Sequence, residues 1–211
     1  CRRYVSRCLE GETLMSMRIE DCFRVIATRW RDELVITSAG NSSEVWWETT
    51  RDLDKTFYLE ASMSLSTMFA AGIAMGYPDT RFWAFIGDGA FVMNAGLLFV
   101  ERDLALPNMT SIIVANRCYG ATDGVDIPNN REINFAAVAR AAGIPHVFSF
   151  DTIEALEADF DKAFRAVEPA TVVLELEPPA KHYESPPFDG PELKYRFGRA
   201  LEKRFDRTVL P

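Results

Sequence analysis

The chain has 211 residues, 48% of them hydrophobic, and a formal net charge of −8. That length suits one sizeable α/β domain and is short for two. The acidic balance excludes a sequence-independent nucleic-acid binder, which needs a basic face, and no apolar run reaches the ~20 residues of a membrane span.

In chain order, residues 1–14 ("CRRYVSRCLEGETL") show no periodicity and no apolar core of a secretory signal. They read as an upstream extension or disordered tail, with 15–211 as a single domain. Ile19, Cys22, Phe23, Ile26 and Trp30 recur at helical spacing, which predicts an amphipathic helix over 17–30. "ELVIT" (33–37) is a short β-rich run, ended by the turn-like "SAGNSS". "TFYL" (56–59) is a second strand. "SLSTMFAAGIAMG" (64–76) is apolar nearly all round and predicts a helix buried on both sides.

The pattern then repeats. Strands are expected at 82–86, 111–115, 147–150 and 171–176, and helices at 93–104, 135–142 and 153–167. Strands alternating with helices of this length imply βαβ units. Several strands are continuously apolar, as expected when both faces are covered. The fold class is therefore α/β, a doubly wound parallel sheet with helices on both faces. Residues 177–211 form a proline-rich excursion followed by a basic amphipathic helix over about 192–205. Cys1, Cys8, Cys22 and Cys118 fit neither a zinc site nor a disulfide framework, and a reducing cytoplasm is the simplest expectation.

In an open parallel sheet, ligands sit beyond the carboxyl ends of the strands. Gly87-Asp88-Gly89 stands at such an end. The glycines allow a sharp turn and close backbone approach, and Asp88 supplies a hard anionic oxygen. The 26 residues from Ala90 to Ala115 then separate Gly89 from Asn116, the length of one helix plus one return strand. The crossover brings Asn116 to a strand end near Asp88. A carboxylate and an amide oxygen suit Mg²⁺, which takes few protein ligands and completes its octahedron with phosphate oxygens and water. The third glycine of a dinucleotide fingerprint is missing, and no Gly-Lys-Ser/Thr phosphate loop is present. A lone Gly-Asp-Gly is most often a turn. The weight comes from the pairing with Asn116 at one crossover's distance.

Gly87-Asp88-Gly89, 26 residues and Asn116 resemble the signature of thiamine diphosphate (ThDP) enzymes. "GDGAFVMNAGLL" and "NRCYG" look like the decarboxylase and acetolactate synthase group, nearest to sulfopyruvate and phosphonopyruvate decarboxylases. The resemblance covers roughly residues 17–180. It implies the ThDP-binding fold, diphosphate domain, with Mg²⁺ held by Asp88, the Asn116 side chain and the Cys118 carbonyl. Gly87, Gly89 and Ala90 would border the diphosphate, with the Gly89 and Ala90 N–H groups facing it, and Tyr119 and Gly120 would complete the metal turn. Gly40, Asn41 and Ser42 match a second diphosphate-contacting segment. Ala61, Ser62 and Met63 match the segment that cradles the rings, with Met63 under the bend of the cofactor. Ala115 stands where the signature usually has asparagine, and Ala90 where many relatives have serine.

The resemblance also implies a partner. In that family a glutamate on a separate domain of similar fold activates the aminopyrimidine. About 195 residues remain beyond the tail, one domain's worth, so that glutamate is expected on a pyrimidine-domain subunit. The expectation is a hetero-oligomer with at least two copies of each chain. It would act on a small 2-oxo acid, with sulfopyruvate or phosphonopyruvate as the nearest types. Other readings stay open: a carboligase subunit, a fragment of a longer enzyme, or a non-catalytic ThDP-binding partner. Within this chain Glu60 is a weak catalytic candidate; facing substrate and capping the next helix both fit it. His146 reads as a packed or surface residue, and His182 sits in the proline-rich loop. Trp46-Trp47 fits an interface patch or the core.

Overall fold

A computed structural model describes residues 17–60 and 62–210. The proposed tail, residues 1–14, and Ala61 lie outside the described residues.

The elements in chain order are α1 (Ile19–Arg29), β1 (Leu34–Ser38), α2 (Asn41–Thr50), β2 (Thr56–Leu59), α3 (Ser66–Gly76), β3 (Phe82–Gly87) and α4 (Asp88–Met93). There follow α5 (Leu97–Leu104), β4 (Met109–Ala115), α6 (Phe135–Ala141), β5 (His146–Phe150), α7 (Ile153–Phe164), β6 (Ala170–Glu175) and α8 (Gly190–Phe205). The six strands form one sheet in the order β2-β1-β3-β4-β6-β5. Every pairing is parallel.

The apolar strands are sorted by side-chain alternation. Val35, Trp83, Phe85, Ile112, Val114, Val172 and Leu174 point to one face, where they meet Phe23, Ile26, Trp46, Phe160 and Phe164 from α1, α2 and α7. Leu34, Ile36, Phe82 and Ala84 point to the other face, under α3 and α8. Ile86, Ile113, Ala115 and Val173 share that second face with α4, α5 and α6. A sheet covered on both sides has no use for polar alternation, which explains the unbroken apolar runs.

Three expectations need correction. The turn-like "SAGNSS" opens a ten-residue helix, α2. Its serines, threonines and tryptophans are indifferent helix formers. Burial of Val45 and Trp46 holds it, and Trp46 donates its indole N–H to Thr56 Oγ1 at 3.0 Å. Tertiary packing thus overrides propensity, and Trp46 belongs to the core. The helix expected at 93–104 is found over 97–104, as α5, and a separate short helix not expected from the sequence, α4, precedes it. α4 starts at once after β3, and Asn94-Ala95-Gly96 breaks the path before α5. α3 is not buried on both sides: Ala70, Ala71 and Ala74 face the sheet, but Met75 is 59% exposed. Among the described residues no helix is long and apolar enough to cross a membrane.

Candidate functional site

The chain runs from β1 outward to β2, then returns across β1 to β3. The sheet order reverses between β1 and β3, and such a switch point is where doubly wound sheets leave a crevice. The loop after β1 carries Gly40-Asn41. The turn after β3 carries Gly87-Asp88-Gly89. The turn after β4 carries Asn116 to Gly120. The register sets these strand ends side by side: Thr37 pairs with Phe85, and Gly87 pairs with Val114.

Asp88 is buried at the start of α4. Its Oδ1 accepts from the Gly89 N–H at 2.7 Å and its Oδ2 from the Arg117 N–H at 2.5 Å. The second bond joins the β3 and β4 turns directly. Burial pushes the Asp88 carboxyl up to about 6, against the lowering effect of those two N–H groups and the Arg117 charge. Each carboxylate oxygen keeps a lone pair beyond the one it uses here.

Asn116 is also buried. Its Oδ1 accepts from the Cys118 N–H at 3.2 Å, and its Nδ2 donates to Asn41 Oδ1 at 3.1 Å. Asn41 in turn donates to Glu44 Oε2 at 3.0 Å. One hydrogen-bonded row therefore ties the turn after β4 to the first turn of α2. Cys118 forms an antiparallel bridge with Asp126. The bridge uses Tyr119 N–H to Val125 O and Ile127 N–H to Arg117 O, so the Cys118 carbonyl is not taken by it. The thiol is pushed up to about 11 by burial and by the Asp88 and Asp126 charges. A thiol held protonated is a poor nucleophile, which leaves the backbone as the useful part of Cys118.

Close packing fixes the rest of this region. Gly40 has φ 93, and a side chain there would sit 3.4 Å from Ala121 Cβ. A Cβ on Gly89 would lie 2.4 Å from the Tyr119 ring, so Tyr119 packs behind the Asp88 turn. A Cβ on Gly120 would lie 2.3 Å from Asn41 Oδ1 and 2.5 Å from Pro179. Ser42 turns its hydroxyl back to the Ser38 carbonyl at 2.8 Å, so it braces the loop. The Gly89 N–H, expected to face a diphosphate, is engaged by Asp88 itself. The Ala90 N–H belongs to the first helical turn, whose donors lack an intrahelical acceptor.

Ser62 and Met63 lie on the β2–α3 loop, outside this bonded cluster. Met63 is 40% exposed. The next residue, Ser64, has φ 71, a left-handed conformation in which glycine is at ease and serine is not. Glu60 precedes that loop. Burial pushes its carboxyl up to about 7, opposed by the Ser43 hydroxyl and reinforced by the Glu44 charge. Its Oε1 is buried without a hydrogen-bond partner. It does not cap α3, whose N-cap is Leu65 with no side-chain bond. His146 is a surface residue paired with Glu168 at 2.7 Å.

Two features are visible in the sequence without the role the structure gives them. Arg117, at φ 65, gives Asp88 its backbone N–H and sends its guanidinium to Glu175 at 2.5 Å and the Ile133 carbonyl at 2.8 Å. It pins the turn after β4 to β6. The second is a strap, residues 177–189, that starts beside Gly120 and runs along α2. Glu184 is gripped by Arg51 at 2.7 and 2.6 Å and by Trp47 at 3.2 Å, while Lys181 reaches Glu48 at 3.1 Å. Arg117 shows only as the residue after Asn116. The strap shows only as a proline-rich run.

A doubly wound sheet with an acid–amide anchor at its switch point defines a diphosphate-type cofactor site. Residues 39–174 match the family "thiamine pyrophosphate enzyme, C-terminal TPP binding domain", and the chain belongs to it. Among curated proteins it is similar to sulfopyruvate decarboxylase subunit beta of Methanocaldococcus jannaschii, 24% identical over 88% of this chain and 97% of the relative. The same subunit of Methanothermobacter thermautotrophicus is 32% identical over 62% of this chain and 68% of the relative. Two solved structures share the fold. They are the ThDP-dependent 4-hydroxybenzoylformate decarboxylase of Rhodococcus jostii (TM-score 0.63, 20% identity, 79% of this chain) and benzoylformate decarboxylase of Polynucleobacter necessarius (TM-score 0.65, 16% identity, 82% of this chain). The chain spans about a third of each of those structures, 34% and 36%.

The residues present fit such a cofactor with Mg²⁺. The ligand set would be one carboxylate, one amide oxygen and one backbone carbonyl, all hard oxygens. Among the described residues no cluster of three or more His, Cys, Asp or Glu could hold a metal. Asp88, buried with its carboxyl raised, is a carboxylate that a cation would stabilise.

Proposed function

We propose that this chain is the diphosphate-binding subunit of a two-chain, ThDP- and Mg²⁺-dependent 2-oxo acid decarboxylase, with residues 15–211 as one domain. The Asp88–Asn116 juxtaposition at the β1/β3 switch point carries this reading. The names of the curated relatives support a decarboxylase, with sulfopyruvate, or phosphonopyruvate by chemical analogy, as the substrate. A cytoplasmic location goes with it, and Cys22 and Cys118, both buried free thiols, are in keeping with that.

Bound ThDP supplies the electron sink for the pair left when carbon dioxide departs. This chain's own part is to hold and orient. Asp88, Asn116 and the Cys118 carbonyl bind Mg²⁺, and Arg117 keeps Asp88 aimed at it. Asn41 fixes the rotamer of Asn116 by accepting from its Nδ2, which leaves Oδ1 as the oxygen that would bind the ion. Gly40, Asn41, Gly87, Gly89 and Ala90 border the diphosphate, and Gly120 lets Asn41 and Pro179 close on that turn. Ala61, Ser62 and Met63 support the ring system, Met63 by its bulk. The activating glutamate belongs to a pyrimidine-domain partner, and ThDP is buried where the two chains meet, in an assembly with at least two copies of each.

The test is to purify the chain alone, assay 2-oxo acid decarboxylation with excess ThDP and Mg²⁺, and measure its mass in solution. No turnover alone, and turnover after addition of a pyrimidine-domain subunit, is the expected result. Robust turnover by the isolated polypeptide would defeat the two-chain reading.

A further inference from the structure

Glu60 is a carboxyl group that the fold shields without giving it a structural task. Leu59 pairs with Ser38 in the sheet, so Glu60 stands one step beyond, level with the turn that leads to Gly40 and Asn41. It therefore lies on the row of carboxyl-terminal strand ends that also holds Asp88. Its chain continues through Ala61 into Ser62 and Met63. Its Oε1 is withdrawn from solvent and has no hydrogen-bond partner among the described residues. It makes no ion pair of the kind that fixes Glu33 or Glu175. It does not cap α3.

The groups that face it are few. Ser43, on the first turn of α2, approaches the carboxyl and is itself tied to Thr37 at 2.7 Å. Glu44, from the same turn, adds a like charge. Tyr58 on β2 shares the neighbourhood, and its phenol is raised well above its ordinary value, first by burial, with the Glu60 charge contributing. The Glu44 carboxyl is itself raised, first by burial, with the Asn41 amide and then His182 on the strap acting against the rise. Among the described residues no cation pairs with Glu60 itself. A half-buried acid with no cation to pair with and a like charge beside it retains its proton to higher pH, and burial raises this one to about 7, with the Ser43 hydroxyl acting against the rise.

Decarboxylation of a 2-oxo acid consumes a proton. The bond to the carboxylate breaks, carbon dioxide leaves, and the electron pair stays with the former carbonyl carbon. That carbon must then form a bond to hydrogen before an aldehyde is released. We propose that Glu60 is the general acid that delivers this proton. Its carboxyl gives the proton to the carbon and becomes carboxylate, and water restores the proton afterward. No oxidant or second reactant is needed. The proposal rests on the decarboxylase reading above and adds the residue that completes the reaction.

The test uses the complex of this chain with its pyrimidine-domain subunit, ThDP and Mg²⁺. Wild type is compared with Glu60→Gln and Glu60→Asp. A donor must be protonated to act, so wild-type kcat falls as pH rises through the Glu60 titration. In E60Q that alkaline limb disappears and kcat drops about 10²-fold or more, while ThDP affinity changes little. E60D regains part of the rate, with the limb displaced. Independently of activity, carbon-13 NMR of the chain labelled at glutamate carboxyls, with the E60Q spectrum as assignment, reads a titration near neutral pH that shifts when ThDP and Mg²⁺ bind. If E60Q does not fold, E60D supplies both the assignment and the displaced limb. An active wild type whose pH profile survives in E60Q, or a Glu60 signal that ignores the cofactor, overturns the Glu60 assignment alone. A wild-type complex that binds ThDP and decarboxylates no 2-oxo acid overturns the functional reading and this role with it.

Discussion

Asp88→Asn separates two opposite effects of one carboxylate. In the chain without a cation, burial raises the Asp88 carboxyl from 3.8 to about 6. The folded state then binds this proton more tightly than the unfolded state. The stability that results is fully present below the unfolded pKa and is lost as pH rises through the folded one. The gap is roughly two pH units, or about 3 kcal/mol at about 1.4 kcal/mol per unit. Asparagine cannot ionise, so it removes this slope. It also turns an amide NH₂ toward one of the two N–H groups, Gly89 or Arg117, that Asp88 now satisfies, at a cost of about 1–3 kcal/mol. The variant is therefore expected to be less stable than wild type near pH 4 and equal or more stable near pH 8. Urea unfolding across that range reads the crossing directly, provided the m-value stays constant. Adding ThDP and Mg²⁺ should then raise the stability of wild type at neutral pH by linkage and leave the variant unmoved. A stability difference that does not vary with pH would refute the electrostatic argument. Equal stabilisation of both proteins by ThDP and Mg²⁺ would refute the metal assignment.

Two further outcomes are expected. Met63→Leu roughly preserves volume and should be tolerated, at under ~1.5 kcal/mol. Met63→Ala should lower kcat more than cofactor affinity, because the reacting groups lose their alignment; normal turnover of the alanine variant at saturating ThDP would make Met63 an ordinary loop residue. Gly120→Ala places a methyl group within 2.3 Å of Asn41 Oδ1 and 2.5 Å of Pro179. It should displace Asn41 from Asn116 and weaken ThDP binding by tenfold or more, roughly the ~1–3 kcal/mol of an orphaned buried amide, and calorimetric titration showing unchanged affinity would count against the bonded row.

The sheet was legible because its strands are apolar runs of strand length separated by helical periods, and the Gly87-Asp88-Gly89 turn because glycines interrupt such a run. Asn116 followed from distance along the chain alone. α2 was hidden, since "NSSEVWWETT" has a turn's composition and becomes helical through the burial of Trp46. The break between α4 and α5 was hidden for the converse reason: "FVMNAGLLFV" is apolar but for Asn94, and only Asn94 and Gly96 hint at two axes. The exposed side of α3 could not be inferred, because alanine and methionine suit a covered face and an open one equally. What no local pattern encodes is the cross-chain bonding of the anchor, in which Asn41 meets Asn116 and Arg117 meets Asp88.

The strap has a consequence for the order in which the anchor is built. Its fastenings join residues 133 to 137 positions apart, as in Arg51 with Glu184 and Trp47 with Glu184. Closing so long a loop is entropically slow compared with forming neighbouring strands and helices. During synthesis the turns bearing Asn41, Asp88 and Asn116 leave the ribosome well before residues 179–184 do. The nascent chain thus carries every side chain of the proposed anchor while Gly120 still lacks its Pro179 wall. On the proposed reading, tight cofactor capture would follow only once the strap has folded back along α2, and a chain interrupted in translation ahead of residue 179 would hold the anchoring groups in a slack, low-affinity arrangement.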